Sequence, residues 1–130
     1  MTRLDDDGAM VLVIDDDADI RFAAVMLLQS DGYTAVAATN GREALGLLRS
    51  GVRPKLILLD LRMPVMDGYA FRAAQLADPA LALIPVVVVS ADGPRVVPKA
   101  GRDLRAVAAV EKPVDGDELL DVVNEFCAAA

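Results

Sequence analysis

Polar residues that could carry chemistry follow several apolar runs of this chain, and these runs have the length of strands. Asp15, Asp16 and Asp17 come directly after the first run, and Asp60 comes directly after the third. In a parallel sheet, ligands bind beyond the carboxyl ends of the strands, so we expect Asp15, Asp16 and Asp60 to meet at one edge. Carboxylates held together in a partly desolvated cleft repel one another. This cluster therefore needs positive charge beside it.

Two further residues, each at the end of a later run, could complete such a site. Ser90 ends the fourth run and Lys112 follows the fifth. We expect a hard divalent cation to offset the carboxylates, and Mg²⁺ typically takes one or two carboxylates together with water and phosphate oxygens. Lys112 adds a compact positive charge suited to phosphate, and Ser90 adds a hydroxyl donor. These groups together predict phosphoryl transfer, where catalysis is mostly positioning and electrostatic stabilisation.

The elements that must position these side chains follow from the apolar pattern. Predicted strands span Met10–Ile14, Thr34–Ala38, Leu56–Leu59, Val86–Val89 and Ala106–Val110. Several are apolar at every position, which is typical of strands buried on both faces. Helical segments alternate with them, and parallel neighbours need such crossovers. The sequence therefore predicts an α/β fold with a five-stranded, doubly wound parallel sheet and helices on both faces.

Apolar residues spaced three and four positions apart predict the packing faces of the helices. The predicted faces are Ile20, Ala23, Ala24, Leu27 and Leu28; Ala44, Leu47 and Leu48; Ala70, Ala73, Ala74 and Ala77; and Leu119, Val122, Val123 and Phe126. A fourth helix is expected between Pro94 and Asp103, short or distorted because Pro98 and Gly101 disfavour a helix interior. Residues 1–8 and 128–130 are expected to be flexible tails around one domain, residues 9–127.

Composition argues against several classes of protein. A net charge of −7 argues against binding of nucleic acid by this domain. The chain lacks histidine, so it cannot carry a phosphohistidine or a Ser-His pair, and its single Cys127 cannot form an internal disulfide. No apolar run approaches the roughly 20 residues that span a bilayer, and no signal peptide is visible. We expect a cytoplasmic protein with no membrane partner.

Four segments resemble the signatures of response-regulator receiver domains, the phosphoacceptor modules of bacterial two-component and phosphorelay signalling. They are Val11–Asp17, Leu58–Gly68, Val88–Ala91 and Lys112-Pro113. The resemblance covers about residues 9–127, and the signatures occur in the family's order, each at a predicted strand end. It implies a flavodoxin-like sheet with strand order 2-1-3-4-5.

The resemblance assigns a metal site to the carboxylates. Asp60 would accept the phosphoryl group. Asp16 and Asp60 would bind Mg²⁺ directly, with the backbone carbonyl of Arg62 as the third protein ligand. Asp15 would act through a coordinated water.

The resemblance also assigns the groups that hold the phosphoryl group. Ser90 would donate a hydrogen bond to it and move when it arrives, and the small Ala91 would leave room for it. Lys112 would pair with Asp60 and then with a phosphoryl oxygen. The peptide bond before Pro113 is often cis in this family, and a bond before proline is where a cis form costs least.

The implied partners are those of a signalling protein. A histidine kinase or histidine phosphotransfer protein would donate the phosphoryl group, and a downstream target protein or output domain would respond. The chain would catalyse only its own phosphorylation and autodephosphorylation, so we expect no enzyme activity on other substrates. Receivers often dimerise through the side of the fourth helix, so a homodimer is among the expected assemblies. The sequence leaves open whether the chain stands alone or belongs to a larger regulator or hybrid kinase.

Two positions depart from the common pattern of the family. Ala109, three residues before Lys112, stands where many receivers carry an aromatic ring whose rotation reports phosphorylation. The usual coupling between Ser90 and a ring therefore cannot operate in its standard form. Arg62, two residues after Asp60, occupies a position whose side chain often tunes the lifetime of the phosphoryl group.

Other interpretations remain open. Asp17 is expected to cap the first helix rather than bind metal, and Asp67-Gly68 to form a turn that starts the third helix. One alternative function is a receiver-like interaction module that works without phosphorylation, which Ala109 motivates. Another is a small magnesium-dependent phosphatase of the haloacid-dehalogenase type, since Ile14–Asp17 loosely resembles its Asp-x-Asp start; the short chain and Asp19 argue against it.

Overall fold

The computed structural model describes residues 9–127, and both expected tails, residues 1–8 and 128–130, lie outside them. Strands and helices alternate along this part of the chain. In order they are β1 (Met10–Ile14), α1 (Ala18–Ser30), β2 (Thr34–Ala38), α2 (Gly41–Arg49), β3 (Leu56–Leu59), α3 (Gly68–Ala77), β4 (Val86–Ser90), α4 (Val96–Asp103), β5 (Ala108–Glu111) and α5 (Gly116–Cys127). Among residues 9–127, no helix has both the length and the apolar character of a membrane span.

The five strands form one parallel sheet in the order β2-β1-β3-β4-β5. This confirms the predicted fold class and the order implied by the resemblance. The central strand β3 is buried at every position, as expected for a strand covered on both faces. One core lies between the sheet and α1 and α5, a second between the sheet and α2 and α3, and a smaller third beneath α4.

Backbone hydrogen bonds extend the strand pairing into the residues beyond the strand ends. The amide N–H of Asp60 donates to the carbonyl oxygen of Ile14 at 3.0 Å, and that of Lys112 donates to the carbonyl oxygen of Ser90 at 2.8 Å. The amide of Asp15 donates to the end of β2 at 3.1 Å. The same ladder that builds the sheet therefore fixes the backbone of the candidate site residues.

The predicted fifth strand begins too early, because its first two residues belong to the turn after α4. Arg105 has a positive φ of 55°, and the amide of Ala106 donates to the carbonyl oxygen of Gly101 at 2.8 Å, which closes the helix end. Regular β5 pairing therefore starts at Ala108. At the other end the strand runs one residue further than predicted, to Glu111.

The predicted packing faces of two helices need correction. In α3 the alanines Ala70, Ala73 and Ala77 are exposed, whereas Phe71, Arg72 and Gln75 are buried. Alanines lie on all sides of this helix, so their spacing does not mark the buried face. The long polar side chains of Arg72 and Gln75 are buried because they donate hydrogen bonds to backbone carbonyl groups.

In α1 the predicted face is only partly buried. Leu28 is fully buried, but the side chain of Ile20 is 41% exposed. Ile20, Ala23 and Leu27 line an open, mostly apolar groove of about 680 Å³ between α1 and the segment that leads into α5. The face therefore points inward as predicted, but α5 does not cover it along its whole length.

The fourth helix is short, as expected, and it accommodates both Pro98 and Gly101, the two residues that disfavour a helix interior. Pro98 is the third residue of α4, within the first turn, where its missing N–H would have no intrahelical acceptor. Gly101 packs directly against β5: a Cβ built on it would lie 2.9 Å from the Cβ of Ala109. The helix therefore tolerates the proline and requires a small residue at position 101.

Candidate functional site

The fold brings three carboxylates to the carboxyl edge of the sheet. Ligand oxygens of Asp15, Asp16 and Asp60 lie within 4.8 Å of one another. Asp15 and Asp60 are 4% and 7% exposed, whereas Asp16 is exposed. The structure therefore groups the residues that the sequence predicted would meet, and leaves one carboxylate open to solvent.

The start of α1 separates Asp17 from this cluster. The carboxylate of Asp17 accepts hydrogen bonds from the amides of Asp19 at 2.9 Å and Ile20 at 3.1 Å, which is the geometry of an N-cap. The carboxylate of Asp15 in turn accepts a hydrogen bond from the amide of Asp17 at 2.9 Å. The first two hydrogen bonds confirm that Asp17 caps α1. The bond from the amide of Asp17 turns the carboxylate of Asp15 inward.

Lys112 provides positive charge inside the cluster. Its Nζ lies 2.6 Å from Oδ2 of Asp15 and 3.6 Å from Oδ1 of Asp60, and the lysine side chain is only 13% exposed. The predicted contact with Asp60 is present, but the shorter contact is with Asp15. The ammonium of Lys112 is one positive charge beside the three carboxylates of the cluster, so these four groups together carry a net negative charge.

The pKa of Asp60 reflects its burial and the negative charge around it. Burial first, and the charge of Asp15 second, raise the pKa of its carboxyl from 3.8 to about 6, against the opposing effect of Lys112. A buried carboxyl with a raised pKa lacks positive charge around its ionised form. A divalent cation held by carboxylate oxygens would supply that charge, so the donor set fits Mg²⁺.

The loop after β3 is held tightly against the start of α3. The side chain of Asp67 caps this helix by accepting a hydrogen bond from the amide of Ala70 at 2.8 Å, which confirms the predicted turn and helix start. A Cβ built on Gly68 would lie 2.4 Å from the carbonyl oxygen of Asp60. Only glycine allows the helix to begin this close to the acidic cluster.

Ser90 lies at the end of β4 and is 1% exposed. Its Oγ accepts a hydrogen bond from the amide of Asp92 at 3.2 Å, while the neighbouring Ala91 is exposed. The hydroxyl proton of Ser90 is therefore not used in that bond. The peptide bond between Lys112 and Pro113 is cis, in line with the expectation from the resemblance.

One interaction at this edge was missed from the sequence. Nε of Arg62 lies 2.5 Å from Oδ1 of Asp92, which joins the loop after β3 to the loop after β4. Arg62 follows Asp60 by two residues and Asp92 follows Ser90 by two. Opposite charges at the same offset beyond two adjacent strands were the signal in the sequence that could have revealed this pair.

The chain is similar to known proteins both in sequence and in fold. The model of the family described as response regulator receiver domain matches residues 11–124. The chain is 31% identical over 117 residues to sporulation initiation phosphotransferase F of Bacillus subtilis, covering 89% of this chain and 91% of that protein. The chemotaxis protein CheY4 of Vibrio cholerae has a solved structure that matches with a TM-score of 0.82 at 29% identity, covering 91% of this chain and 98% of that one.

A further relative is much longer than this chain. The chain is 39% identical over 118 residues to a protein-glutamate methylesterase/protein-glutamine glutaminase of Moorella thermoacetica, which covers 89% of this chain but 27% of that protein. The similarity to this relative therefore concerns one of its parts and does not extend to its whole length.

Proposed function

Because the chain belongs to the response regulator receiver domain family, we propose that it is a switch that accepts a phosphoryl group on Asp60. Receiver domains are generally phosphoacceptors rather than enzymes, and they interact with histidine kinases or phosphotransfer proteins and with output domains. The donor is a phosphohistidine on such a kinase or phosphotransfer protein. The chain catalyses only its own phosphorylation and autodephosphorylation.

Receiver domains bind Mg²⁺ at a cluster of acidic residues, and the cluster here supports the same assignment. Asp16 and Asp60 would hold the ion together with the backbone carbonyl of Arg62, and Asp15 would act through a water. When bound, Mg²⁺ neutralises charge on the transferring phosphoryl oxygens. Lys112 is released from part of its contact with Asp15 and holds one of these oxygens, since its ammonium already lies between Asp15 and Asp60.

The transfer step uses the carboxylate of Asp60 as the nucleophile. One of its oxygens forms a bond to phosphorus while the bond from phosphorus to the donor nitrogen breaks, and the imidazole leaves with that electron pair. The product is an acyl phosphate on Asp60. Ser90 donates its free hydroxyl proton as a hydrogen bond to a phosphoryl oxygen, and the exposed Ala91 leaves the approach open.

The single observation that carries this proposal is the position of Lys112 against Asp15 and Asp60 at the open edge of the sheet. Incubation with acetyl phosphate and Mg²⁺, followed by intact-mass measurement, tests it. Wild-type protein is expected to gain one phosphoryl group and to lose that gain when Mg²⁺ is chelated. Asp60→Asn is expected to gain none.

The matched control is Asp67→Asn, the same change in the same loop at a residue that only caps α3. Asparagine also caps helices, so this variant is expected to be phosphorylated like the wild type. Equal mass gain in wild type and Asp60→Asn would overturn the assignment of the acceptor.

A second candidate is an interaction module that works without phosphorylation, and the observation that favours it is Ala109, which cannot supply a rotating ring. Such a module would show no mass gain at any tested Mg²⁺ concentration or pH. No contact among the described residues of the site favours the phosphatase alternative. Turnover of a phosphate ester would be the sign of such an enzyme.

A further inference from the structure

The open groove beside α1 extends from the acidic cluster between this helix and the segment that leads into α5. Its volume is about 680 Å³, and pockets for small molecules commonly have volumes in this range. Asp60, Lys112 and Ala91 are among the residues that line it. The groove is therefore continuous with the site where phosphorylation is proposed.

Charged and apolar groups occupy different parts of the groove. Among the described residues that line it, only Asp15, Asp60 and Lys112 are charged. The remaining lining is apolar and comes from the sheet, from α1 and from the start of α5; Val13 and Leu58, for example, belong to the core between the sheet and these helices. A ligand that complements this lining has one charged end and an apolar body.

The groove is open because α1 presents small side chains to it near the site. Ala23 and Ala24 line this part, and the side chain of Ile20, one turn earlier, is 41% exposed. One turn later Leu27 meets α5, because a Cβ built on Gly116 would lie 3.5 Å from Cδ2 of Leu27. The packing between the two helices is therefore incomplete only at the end of α1 that lies near the carboxylates.

The groove is long enough for a chain of several carbons. Ile20 and Leu27 lie seven residues apart along α1, which corresponds to about 10 Å of helix. Because α1 begins directly after Asp17, Ile20 is on the side of the acidic cluster and Leu27 is farther from it. An extended acyl chain of six carbons is shorter than this length, so it can run from the carboxylates towards Leu27 inside the groove.

The chemistry proposed for the charged end selects the class of the ligand. A phosphoryl group on Asp60 would be an acyl phosphate. A donor that is itself an acyl phosphate exchanges one such bond for another, so neither side of the transfer is strongly favoured. A phosphate ester of an alcohol is a poorer donor, because an alkoxide leaves much less readily than a carboxylate. The class that fits both ends of the groove is therefore an acyl phosphate with an apolar acyl group.

We propose that the groove holds the acyl chain of a medium-chain acyl phosphate whose phosphoryl group lies beside Asp60 and Lys112. This inference rests on the proposed phosphorylation of Asp60 and names a class of small-molecule donor for it. A carboxylate oxygen of Asp60 forms a bond to phosphorus while the bond from phosphorus to the acyl oxygen breaks, and the medium-chain carboxylate leaves with that electron pair. The step needs no proton and no further reactant.

Hexanoyl phosphate and acetyl phosphate are the probes, because they differ only by four methylene groups. Each donor is added with Mg²⁺ at a concentration well below saturation, and the rate of phosphoryl mass gain is measured. Wild type is expected to react about tenfold faster with hexanoyl phosphate, since the added methylene groups leave water for a half-open apolar groove. Equal rates with the two donors would overturn the proposal.

Ala23→Leu tests where the acyl chain lies, because it adds bulk to the wall of the groove. Ala23 is exposed there and leucine is a good helix former, so the helix is retained. The ratio of the two rates is expected to fall to about threefold or less. Ala73→Leu is the matched control: it makes the same change at an exposed position of α3, away from the groove, and should keep the wild-type ratio.

Binding is measured separately with the phosphonate analogue of hexanoyl phosphate, in which a methylene group replaces the bridging oxygen so that no phosphoryl group can be transferred. In the presence of Mg²⁺, the methyl resonances of Leu27 and Leu119, which line the groove, are expected to shift when this analogue is added. The corresponding analogue of acetyl phosphate is too short to reach Leu27 and should leave its methyl resonances unchanged.

The inference about the groove and the proposed function fail in different ways. If wild type gains mass equally fast from both donors and the longer phosphonate shifts no methyl resonance of the groove, only the inference about the groove fails; a groove that contacts only a protein donor would give this result. An unchanged rate ratio in Ala23→Leu, or an equal loss in Ala73→Leu, would also overturn it. If wild type gains no mass from either donor, the proposed function fails and the inference fails with it.

Discussion

The carboxyl of Asp60, the proposed phosphoryl acceptor, is in an environment that opposes its ionised form when metal is absent. It is buried, lies beside Asp15 and Asp16, and shares the ammonium of Lys112 with Asp15. Burial and the neighbouring carboxylates raise the pKa of Asp60 to about 6, although Lys112 acts in the opposite direction. A nucleophilic carboxylate must be ionised, so in the proposed function cation binding and attack on phosphorus would be linked at Asp60.

The raised pKa of Asp60 predicts how stability depends on pH in the metal-free protein. Between pH 3.8 and about 6 the native state keeps a proton on Asp60 that the unfolded state has released. The contribution of Asp60 to the free energy of unfolding therefore falls as pH rises through this window. Urea unfolding with a metal chelator present should show this slope in wild type and lose it in Asp60→Asn.

The difference in the free energy of unfolding between wild type and Asp60→Asn also has an expected size at neutral pH. Asp60→Asn should be more stable than wild type by about 1–2 kcal/mol without metal, because it removes a buried charge that is incompletely paired. Asp67→Asn is the control and should keep the wild-type slope. If wild type, Asp60→Asn and Asp67→Asn all showed the same slope of unfolding free energy against pH, groups other than Asp60 would cause the pH dependence.

At the scale of the elements, α3 connects the acidic cluster to the C-terminal end of α4. Its first residue, Gly68, touches the backbone of Asp60, and one turn later Arg72 holds the end of α4. The helix begins where it does because Asp67 caps it, and it tolerates two buried polar residues because Arg72 and Gln75 bond to each other and to backbone carbonyl groups.

Gly68→Ala is expected to be among the most destabilising single substitutions in the loop. Its Cβ would lie 2.4 Å from the carbonyl oxygen of Asp60 and 2.9 Å from Cα of Leu61, both backbone atoms that cannot turn away. We expect a loss of about 2–4 kcal/mol in the free energy of unfolding, measured by urea denaturation.

Gly46→Ala provides the contrast, because it makes the same change in a helix with open space around it. It should stabilise the protein by up to about 1 kcal/mol through helix propensity alone. If both substitutions changed the free energy of unfolding by similar amounts, Gly68 would approach the backbone of Asp60 less closely in solution than in the structure.

At the scale of the whole molecule, the parallel sheet sets the position of the site. Because all five strands point the same way, the residues that follow them collect at one edge, and cores on both faces hold that edge in place. The negative charge gathered there lies in a chain whose overall net charge is −7. The homodimer expected from the family stays a prediction.

Metal binding is expected to stabilise the whole fold, since a ligand that binds only the native state raises its stability with concentration. The midpoint of thermal unfolding should rise steadily as Mg²⁺ is added in excess of its dissociation constant. In Asp16→Asn, which removes the exposed carboxylate of the cluster, this rise should be much smaller. Asp19→Asn, on the exposed side of α1, should respond like wild type; an equal rise in all three proteins would place the ion elsewhere.

The sequence alone was enough to predict the fold class and the grouping of Asp15, Asp16 and Asp60 beside Lys112. Both follow from strand patterning, since parallel strands collect the residues after them at one edge. The family signatures were local in sequence and so were readable without coordinates. The caps Asp17 and Asp67 were predictable for the same reason, because a cap bonds to amides only two or three residues away.

Only the tertiary structure decided which partners meet across long separations in the chain. The burial of Arg72 depends on carbonyl groups more than thirty residues away, and the pairing of Arg62 with Asp92 depends on how two loops lie side by side. The need for glycine at position 101 likewise comes from the closeness of β5 and from no local pattern. Apolar spacing reports which side of an element faces the core, whereas these contacts depend on distances between elements that the packing of the whole domain sets.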